Sequence, residues 1–201
     1  MMTPPPDYIG TKEHMAEAEA FKSYLSGLGC QPATCTIFYT HVREFLSYVK
    51  KPFCTVERTD IEAFYTHLQE RPCRNRAGGL STPSINHYLC ALRSFFSWHQ
   101  TTGSVRTNPM SAIKPLQVEC KSRYPLSQAQ VAALFEASES LKESALLHLY
   151  YSLGLRRSEG VALNLRDVHF KTCMVYVRSG KGGKRRAVPM PEKVSQALRN
   201  M

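Results

Sequence analysis

Apolar residues recur every three to four positions in four stretches of the first half of the chain. This spacing places them along one face of an α-helix, so each stretch predicts a helix with one packed side and one free side. The four predicted helices run from about Glu13 to Leu28, from about Thr34 to Lys50, from a capping box at Thr59 and Glu62, and from about Thr82 with Pro83 in its first turn. The sequence therefore predicts a four-helix unit.

The second half begins with helical patterns and ends differently. Ser127 and Gln130 form another capping box, which predicts a helix start. The elements predicted after it are a helix from about Leu141 to Leu153, strands at Met174 to Val177 and Ala187 to Pro189 around the glycine-bearing turn SGKGGKRR, and a last helix from Pro191. The predicted fold class is mainly α with a small β-hairpin.

A proline-bearing segment without clear periodicity, TTGSVRTNPMSAIKPLQVECKSRYPLS, separates the two halves and predicts a linker. Three consecutive prolines near the start predict a disordered N-terminus. The predicted organisation is therefore a disordered segment at 1–12, a helical domain at 13–115 and a second domain at 116–201.

The net charge of the chain indicates which class of binding partner to expect. The chain carries a formal net charge of +10, with a pI near 9.4. Residues 116–201 hold 14 Lys and Arg against 7 Asp and Glu, so this half contributes +7 of the +10. A basic surface gains entropy by releasing the counterions that phosphates condense, which makes nucleic acid the first expected partner and a membrane surface the second.

Other classes of protein are disfavoured. No apolar run approaches the roughly 20 residues that a membrane-spanning helix needs, and no targeting signal is visible, so we expect a cytoplasmic protein that does not span a membrane. An RNA-binding or scaffold protein would also explain the charge, but no aromatic stacking platform typical of RNA modules is apparent.

The seven cysteines are scattered and form no CxxC pair, which favours reduced thiols. A zinc site would have to recruit Cys30, Cys35 and His41, which lie in or beside one helix and have no second pair at ligand spacing. We therefore expect no metal.

Two clusters carry candidate chemistry. In YSLGLRRSEGVALNLRDV, Gly154 ends one helix and Arg156 opens the next element. In the hairpin, five basic residues occur within nine positions that contain no acid: Arg178, Lys181, Lys184, Arg185 and Arg186. A basic loop with glycines can approach a phosphate backbone closely.

These motifs, in this order, resemble the tyrosine recombinases, the family that includes phage integrases and Xer-type enzymes. The stretch 21–114, with NHYLCALRSFFSWHQTTGSVRTNP, resembles the family's N-terminal core-binding, SAM-like domain. YPLSQAQVAALF resembles the entry to its catalytic domain, GLRRSE the box of the first catalytic arginine, and GKGGKRRAVP the hairpin of the catalytic lysine. The resemblance thus implies a four-helix DNA-binding domain followed by the N-terminal half of an α+β catalytic domain.

The resemblance also implies residue roles. Arg156 would be the first catalytic arginine, because a guanidinium can hold two non-bridging phosphate oxygens, and Lys181 would give a proton to the departing 5′ oxygen. Glu159 and Asp167 would orient Arg156 and brace the fold. Arg156 could instead be a helix-start arginine paired with either acid, and Lys184 competes with Lys181. The residues expected to contact DNA are His41, Arg43, Arg74, Arg76, Asn86, Arg93, Lys184 and Arg185.

Several catalytic residues of the family have no match in this sequence. The chain has no His-x-x-Arg, no histidine after His169 and no tyrosine after Tyr176, where the nucleophile belongs. We therefore expect this polypeptide alone to bind double-stranded DNA as a monomer, without a cofactor and without cutting. A fragment, an interrupted gene and a short regulator that competes at recombination sites remain alternatives. Gly160, where the family has a larger apolar residue, is a second departure.

Overall fold

The computed structural model describes residues 12–72, 78–118 and 124–200, and at Lys181 the backbone alone. The predicted disordered start and the candidates Arg74 and Arg76 lie outside the described residues. The chain divides between residues 121 and 122 into two compact units, six residues beyond the boundary expected from the sequence. The mainly helical fold class with a small antiparallel sheet is confirmed.

Unit 1 consists of four helices that bury one face each. They are α1 (Lys12–Gly27), α2 (Pro32–Val49), α3 (Arg58–Glu70) and α4 (Thr82–Thr101). Their predicted stripes meet in an aromatic core, in which Phe45 and Phe64 stack edge to face at 5.2 Å between ring centroids. Phe95 makes the same kind of contact with Phe96, also at 5.2 Å. This core holds α2 against α1 and α4.

The predicted start of α3 is wrong. The backbone N–H of Glu57 donates to Asp60 Oδ2 at 2.7 Å, so the capping interaction lies two residues before the predicted one. Glu62 instead accepts from Arg58 Nε at 2.7 Å, one helical turn away. Asp60 is the acid three residues after the helix boundary, and it therefore takes the capping role.

Unit 2 contains α5 (Gln128–Glu136), α6 (Leu141–Leu147), α7 (Arg157–Val161), α8 (Glu192–Arg199), and the strands β1 (Val168–His169), β2 (Met174–Val177) and β3 (Arg186–Pro189). The capping box at the start of α5 is confirmed, since Ser127 N–H donates to Gln130 Oε1 at 2.9 Å and Gln130 N–H donates to Ser127 Oγ at 3.3 Å. The helix predicted from 141 to 153 changes after Leu147 into one π-helical turn, His148–Ser152. Within the described residues, no helix is long and apolar enough to cross a membrane.

The antiparallel sheet has the order β1-β2-β3, and its first strand was not predicted. Val177 lies opposite Arg186, and Tyr176 lies opposite Ala187. Because side chains alternate along a strand, the sheet has an inner face with buried Val175 and Val177 and an outer face with exposed Tyr176. The inner face packs on Leu149, Leu153, Leu155, Met190 and Val194.

Candidate active site and nucleic-acid interface

Arg156 lies immediately before α7, in extended conformation, and its side chain is 58% exposed. Its backbone N–H donates to Glu159 Oε2 at 2.8 Å, and its guanidinium Nη1 donates to Glu159 Oε1 at 3.0 Å. One acid thus fixes both the main chain and the side chain of Arg156. The Nε and Nη2 groups make no hydrogen bond within the described part of the chain, so they remain free to bind an anion.

Glu159 is the buried centre of this site, with a side chain only 1% exposed. It accepts two parallel hydrogen bonds from Arg186 on β3, from Nη1 to Oε1 and from Nη2 to Oε2, each 2.7 Å long. The bonds from Arg186, followed by those from Arg156, lower the pKa of Glu159 to about 2. The carboxylate is therefore ionised at neutral pH and ties β3 to the start of α7. The sequence places Arg186 only in the basic hairpin, and no local pattern identifies it as the partner of Glu159.

Asp167 is also buried, but its carboxylate does not bind the residues that Glu159 binds. Its carboxylate accepts from the Asn164 N–H at 3.0 Å and from Arg178 Nε. Burial acts to raise the pKa of Asp167, but these hydrogen bonds outweigh it and the pKa lies below its usual value. The contact with Arg156 expected of both acids is made by Glu159, while Asp167 positions Arg178.

The hairpin turn places Lys181 at the start of a short 3-10 turn, Lys181–Gly183. Gly180 N–H donates to the Lys184 carbonyl at 2.9 Å, which closes the loop. Gly182 and Gly183 have positive φ angles of 76° and 72°, which a residue with a side chain rarely adopts. Lys184 and Arg185 are exposed just after this turn.

In unit 1, His41 is half-buried and stacks on Tyr88 with 3.8 Å between ring centroids. Burial, and to a lesser extent the neighbouring His87 and Arg71, lowers the pKa of His41 to about 4. The imidazole is therefore neutral at pH 7 and carries no positive charge that would attract a phosphate. Arg43 is half-buried, with its guanidinium 5.4 Å from the Tyr39 ring centroid.

Asn86 and Arg93, expected to contact DNA, bind the segment that follows α4. Asn86 Nδ2 donates to the Leu116 carbonyl at 2.9 Å, and the Leu116 N–H donates to Asn86 Oδ1 at 2.9 Å. Arg93 Nη2 donates to the Ile113 carbonyl at 2.8 Å. The sequence predicted that this face of α4 is free, but the segment that follows α4 covers it. Asn86 and Arg93 therefore have a structural role in unit 1.

Among the described residues, no group of three or more His, Cys, Asp and Glu is placed to hold a metal ion. This statement includes Cys30, Cys35 and His41, the trio that a zinc site would have recruited from the sequence.

Two family models match the two units. The model described as the phage integrase, N-terminal SAM-like domain matches residues 18–102, and the model of the phage integrase family matches residues 125–201. The chain belongs to the phage integrase family of tyrosine recombinases. Each model covers the unit in which the corresponding sequence motifs were found.

Curated relatives of this integrase-family chain are longer than it is. A tyrosine recombinase of Thermosipho africanus is 32% identical over 185 residues, which cover 90% of this chain and 65% of the relative. Tyrosine recombinase XerC of Xanthomonas campestris is 38% identical over 125 residues, or 60% of this chain and 38% of the relative. The chain therefore spans less than two thirds of the length of these relatives.

Solved integrase structures share the fold at low sequence identity. The Tn1549 transposon integrase, solved in complex with circular intermediate DNA, gives a TM-score of 0.67 at 19% identity over 91% of this chain and 63% of that one. A lambda integrase dimer bound to a COC′ core site gives 0.66 at 16% identity over 87% and 47%.

Gly160, the departure from the family pattern, has a structural explanation. A Cβ atom at this position would lie 2.7 Å from Cε1 and from the hydroxyl of Tyr150. Tyr150 is half-buried and packs against the core of unit 2. The glycine therefore leaves room for the Tyr150 ring beside α7.

Proposed function

We propose that this chain binds duplex DNA as the DNA-binding part of a site-specific tyrosine recombinase. The observation that carries the proposal is the exposed Arg156 guanidinium held by a buried, ionised Glu159 beside the basic hairpin. An exposed cation fixed by a buried anion is pre-organised for a ligand of opposite charge. The relatives named as recombinases and the integrases solved on DNA support this function.

The proposed chemistry of the site follows from its donors. As a phosphodiester is attacked, negative charge develops on its non-bridging oxygens, and the free N–H groups of Arg156 can donate to them. Glu159, which Arg186 holds in place, fixes Arg156 and is a poor base, because the bonds from the two arginines lower its pKa to about 2. Lys181, on the hairpin turn, is proposed to donate the proton to the departing 5′ oxygen.

The 201-residue polypeptide is proposed to bind without cleaving. Its sequence holds no His-x-x-Arg and no tyrosine after Tyr176, so the groups that complete the reaction in this family have no counterpart in it. Tyr150 packs against Gly160, which does not suit a nucleophile. Without a nucleophile the covalent route is lost altogether, whatever charge stabilisation remains.

The residues proposed to contact DNA differ in kind between the two units. In unit 2, the exposed Lys184 and Arg185 extend the positive surface of the hairpin. In unit 1, Arg74 and Arg76 remain proposed backbone contacts. For His41, Asn86 and Arg93 we propose structural roles in unit 1 instead of DNA contacts, because His41 stacks on Tyr88 and the side chains of Asn86 and Arg93 bind the segment that follows α4.

A second candidate is a non-catalytic regulator that occupies recombination sites. Such a regulator needs only to bind DNA, and the Arg156 site that would hold a phosphate is assembled in this polypeptide. Lambda integrase has been solved as a dimer and as a tetramer on DNA. We propose that this polypeptide is a monomer in solution and joins other protomers only on DNA. Competition with an intact recombinase for one site would distinguish the regulator from a simple fragment.

The test of the proposed function uses a fluorescent duplex and a nicked duplex. Purified chain should raise the anisotropy of the duplex at low salt. The double variant Arg156→Ala with Lys181→Ala should bind within about threefold of wild type, because the other cations supply most of the affinity. Denaturing gels with the nicked duplex should show no covalent adduct. Absence of binding by folded chain would refute DNA binding, and an adduct would refute the predicted inactivity.

A further inference from the structure

The turn between α1 and α2 places two cysteines next to each other. Cys30 directly precedes Gln31, the N-cap residue of α2, and Cys35 is the fourth residue of that helix. Apolar side chains at these two positions often pack against each other at the start of a helix, where they fix the angle at which the chain enters it. In this chain both side chains end in a thiol, so the same packing brings two sulfur atoms together.

The thiol of Cys35 lies against the main chain of Cys30. Its S–H group donates to the Cys30 carbonyl, with 3.6 Å between sulfur and oxygen. The Cys30 N–H donates to the Leu25 carbonyl at 3.1 Å, and the Cys35 N–H donates to the Gln31 carbonyl at 3.1 Å. Hydrogen bonds therefore hold the backbone of both cysteines, and the two residues stay side by side.

The two thiols differ in their access to solvent. Cys35 is 4% exposed and belongs to the core of unit 1. Cys30 is half-buried at the edge of that core, and both are free thiols in the structure. A small reagent in solution therefore reaches Cys30 first, and Cys35 is placed to react with the product that forms on Cys30.

We propose that Cys30 and Cys35 form a dithiol site that reacts with peroxides. The Cys30 thiolate attacks a peroxide oxygen, the O–O bond breaks, and Cys30 becomes a sulfenic acid while hydroxide leaves and takes up a proton. The Cys35 sulfur then attacks the Cys30 sulfur, and the sulfenic oxygen leaves as water. Two thiols are oxidised to one disulfide, and one hydrogen peroxide is reduced to two waters.

The disulfide closes a small ring around residues 31–34, which are the N-cap and the first residues of α2. A crosslink removes conformational freedom from the unfolded chain, so a bridge between residues that the fold already holds together stabilises unit 1. The Arg156 site lies in unit 2 and takes no part in this chemistry. The dithiol site is therefore independent of the proposed DNA binding.

The test exposes the full chain to hydrogen peroxide until the exposed Cys90 is oxidised. Remaining thiols are alkylated in denaturant and the chain is digested with trypsin. Cleavage after Lys22 and Arg43 gives one peptide, residues 23–43, that holds both cysteines of the site and no other. Mass spectrometry should show that this peptide has lost two hydrogens and takes up alkyl groups only after reduction. Alkylation of both cysteines, or a bridge from Cys30 to a different cysteine, would overturn the proposal.

Single substitutions test the order of the two steps. In Cys35→Ser the sulfenic acid on Cys30 should persist and be trapped by dimedone, whereas in Cys30→Ser the buried Cys35 should stay open to alkylation after unfolding. Cys54→Ser, at an exposed cysteine of the same unit, is the matched control and should form the bridge as wild type does. Thermal melts verify that the variants are folded. Trapping at Cys35 in place of Cys30 would contradict the assigned order.

Two cysteines five positions apart also meet in an unfolded chain, so the contribution of the fold is measured separately. In mixtures of reduced and oxidised glutathione, the folded chain should need at least about tenfold more reducing conditions than the chain in urea to open the bridge. By linkage, the oxidised chain should then melt about 6 °C higher than the reduced chain. Equal midpoints in buffer and in urea, with equal melting temperatures, would refute a site that is built by the fold.

Discussion

Replacing Asn86 with alanine separates a structural role from a DNA-contact role. The side chain joins α4 to Leu116 by two hydrogen bonds of 2.9 Å, one donated and one accepted. Removing one partner of a hydrogen bond costs about 1 kcal/mol when water can reach the other group and up to about 3 kcal/mol when it cannot. Because Asn86 and Leu116 are both half-buried, we expect a loss of about 2 kcal/mol for the pair.

The assay combines a thermal melt with hydrogen exchange and DNA binding. A loss of that size should lower the melting temperature by about 8 °C for a unit of this length, and the Leu116 amide should exchange faster. Cys90→Ala, one turn later on the same helix and exposed, is the matched control and should leave both readouts unchanged. The affinity of folded Asn86→Ala for duplex DNA should stay within about twofold. Full stability with a large loss of DNA affinity would refute this reasoning.

Two further predictions concern His99 and Gly160. Burial lowers the pKa of His99 to about 4, so the unfolded chain takes up a proton near pH 6.5 that the folded chain does not. Stability is then fully present above about pH 6.5 and falls as the pH drops towards 4. The fall is smaller than burial alone would give, because Glu17 Oε1 lies 3.0 Å from His99 Nε2 and favours the protonated ring. Urea titrations followed by Trp98 fluorescence should show this fall, and a His99→Phe variant with the same pH dependence would contradict it. Gly160→Ala should destabilise unit 2 by about 1 to 3 kcal/mol, because its Cβ would lie 2.7 Å from Tyr150. Thermal melts of Gly160→Ala and of Gly160→Ala with Tyr150→Leu test this, and a single variant as stable as wild type would contradict it.

Periodicity predicted the elements well where one face is simply buried. The four helices of unit 1 and strand β2 follow the stripes read from the sequence, because burial of apolar residues dominates their position. Strand β1 was missed because two residues are too few to show alternation. The cap of α3 was misplaced because two acids, Asp60 and Glu62, stand within reach of the helix start, and only geometry decides between them.

The candidate site was predicted in outline only. The position of Arg156 before a short helix follows from Gly154 and the motif, but the pairing of Glu159 with Arg186 spans 27 positions and depends on how the sheet meets α7. No local pattern carries that information. The same holds for Asn86, since its helical face could be identified but not the loop that covers it.

The most direct test of the account is a titration of fluorescent duplex DNA with wild-type chain over a salt series. If the chain binds through exposed cations, log K should fall linearly with log salt, with a slope near −0.9 for each phosphate contact and about −4 or steeper in total. A folded chain whose binding is absent at low salt, or insensitive to salt, would contradict the central claim that this integrase-family chain is a DNA-binding module.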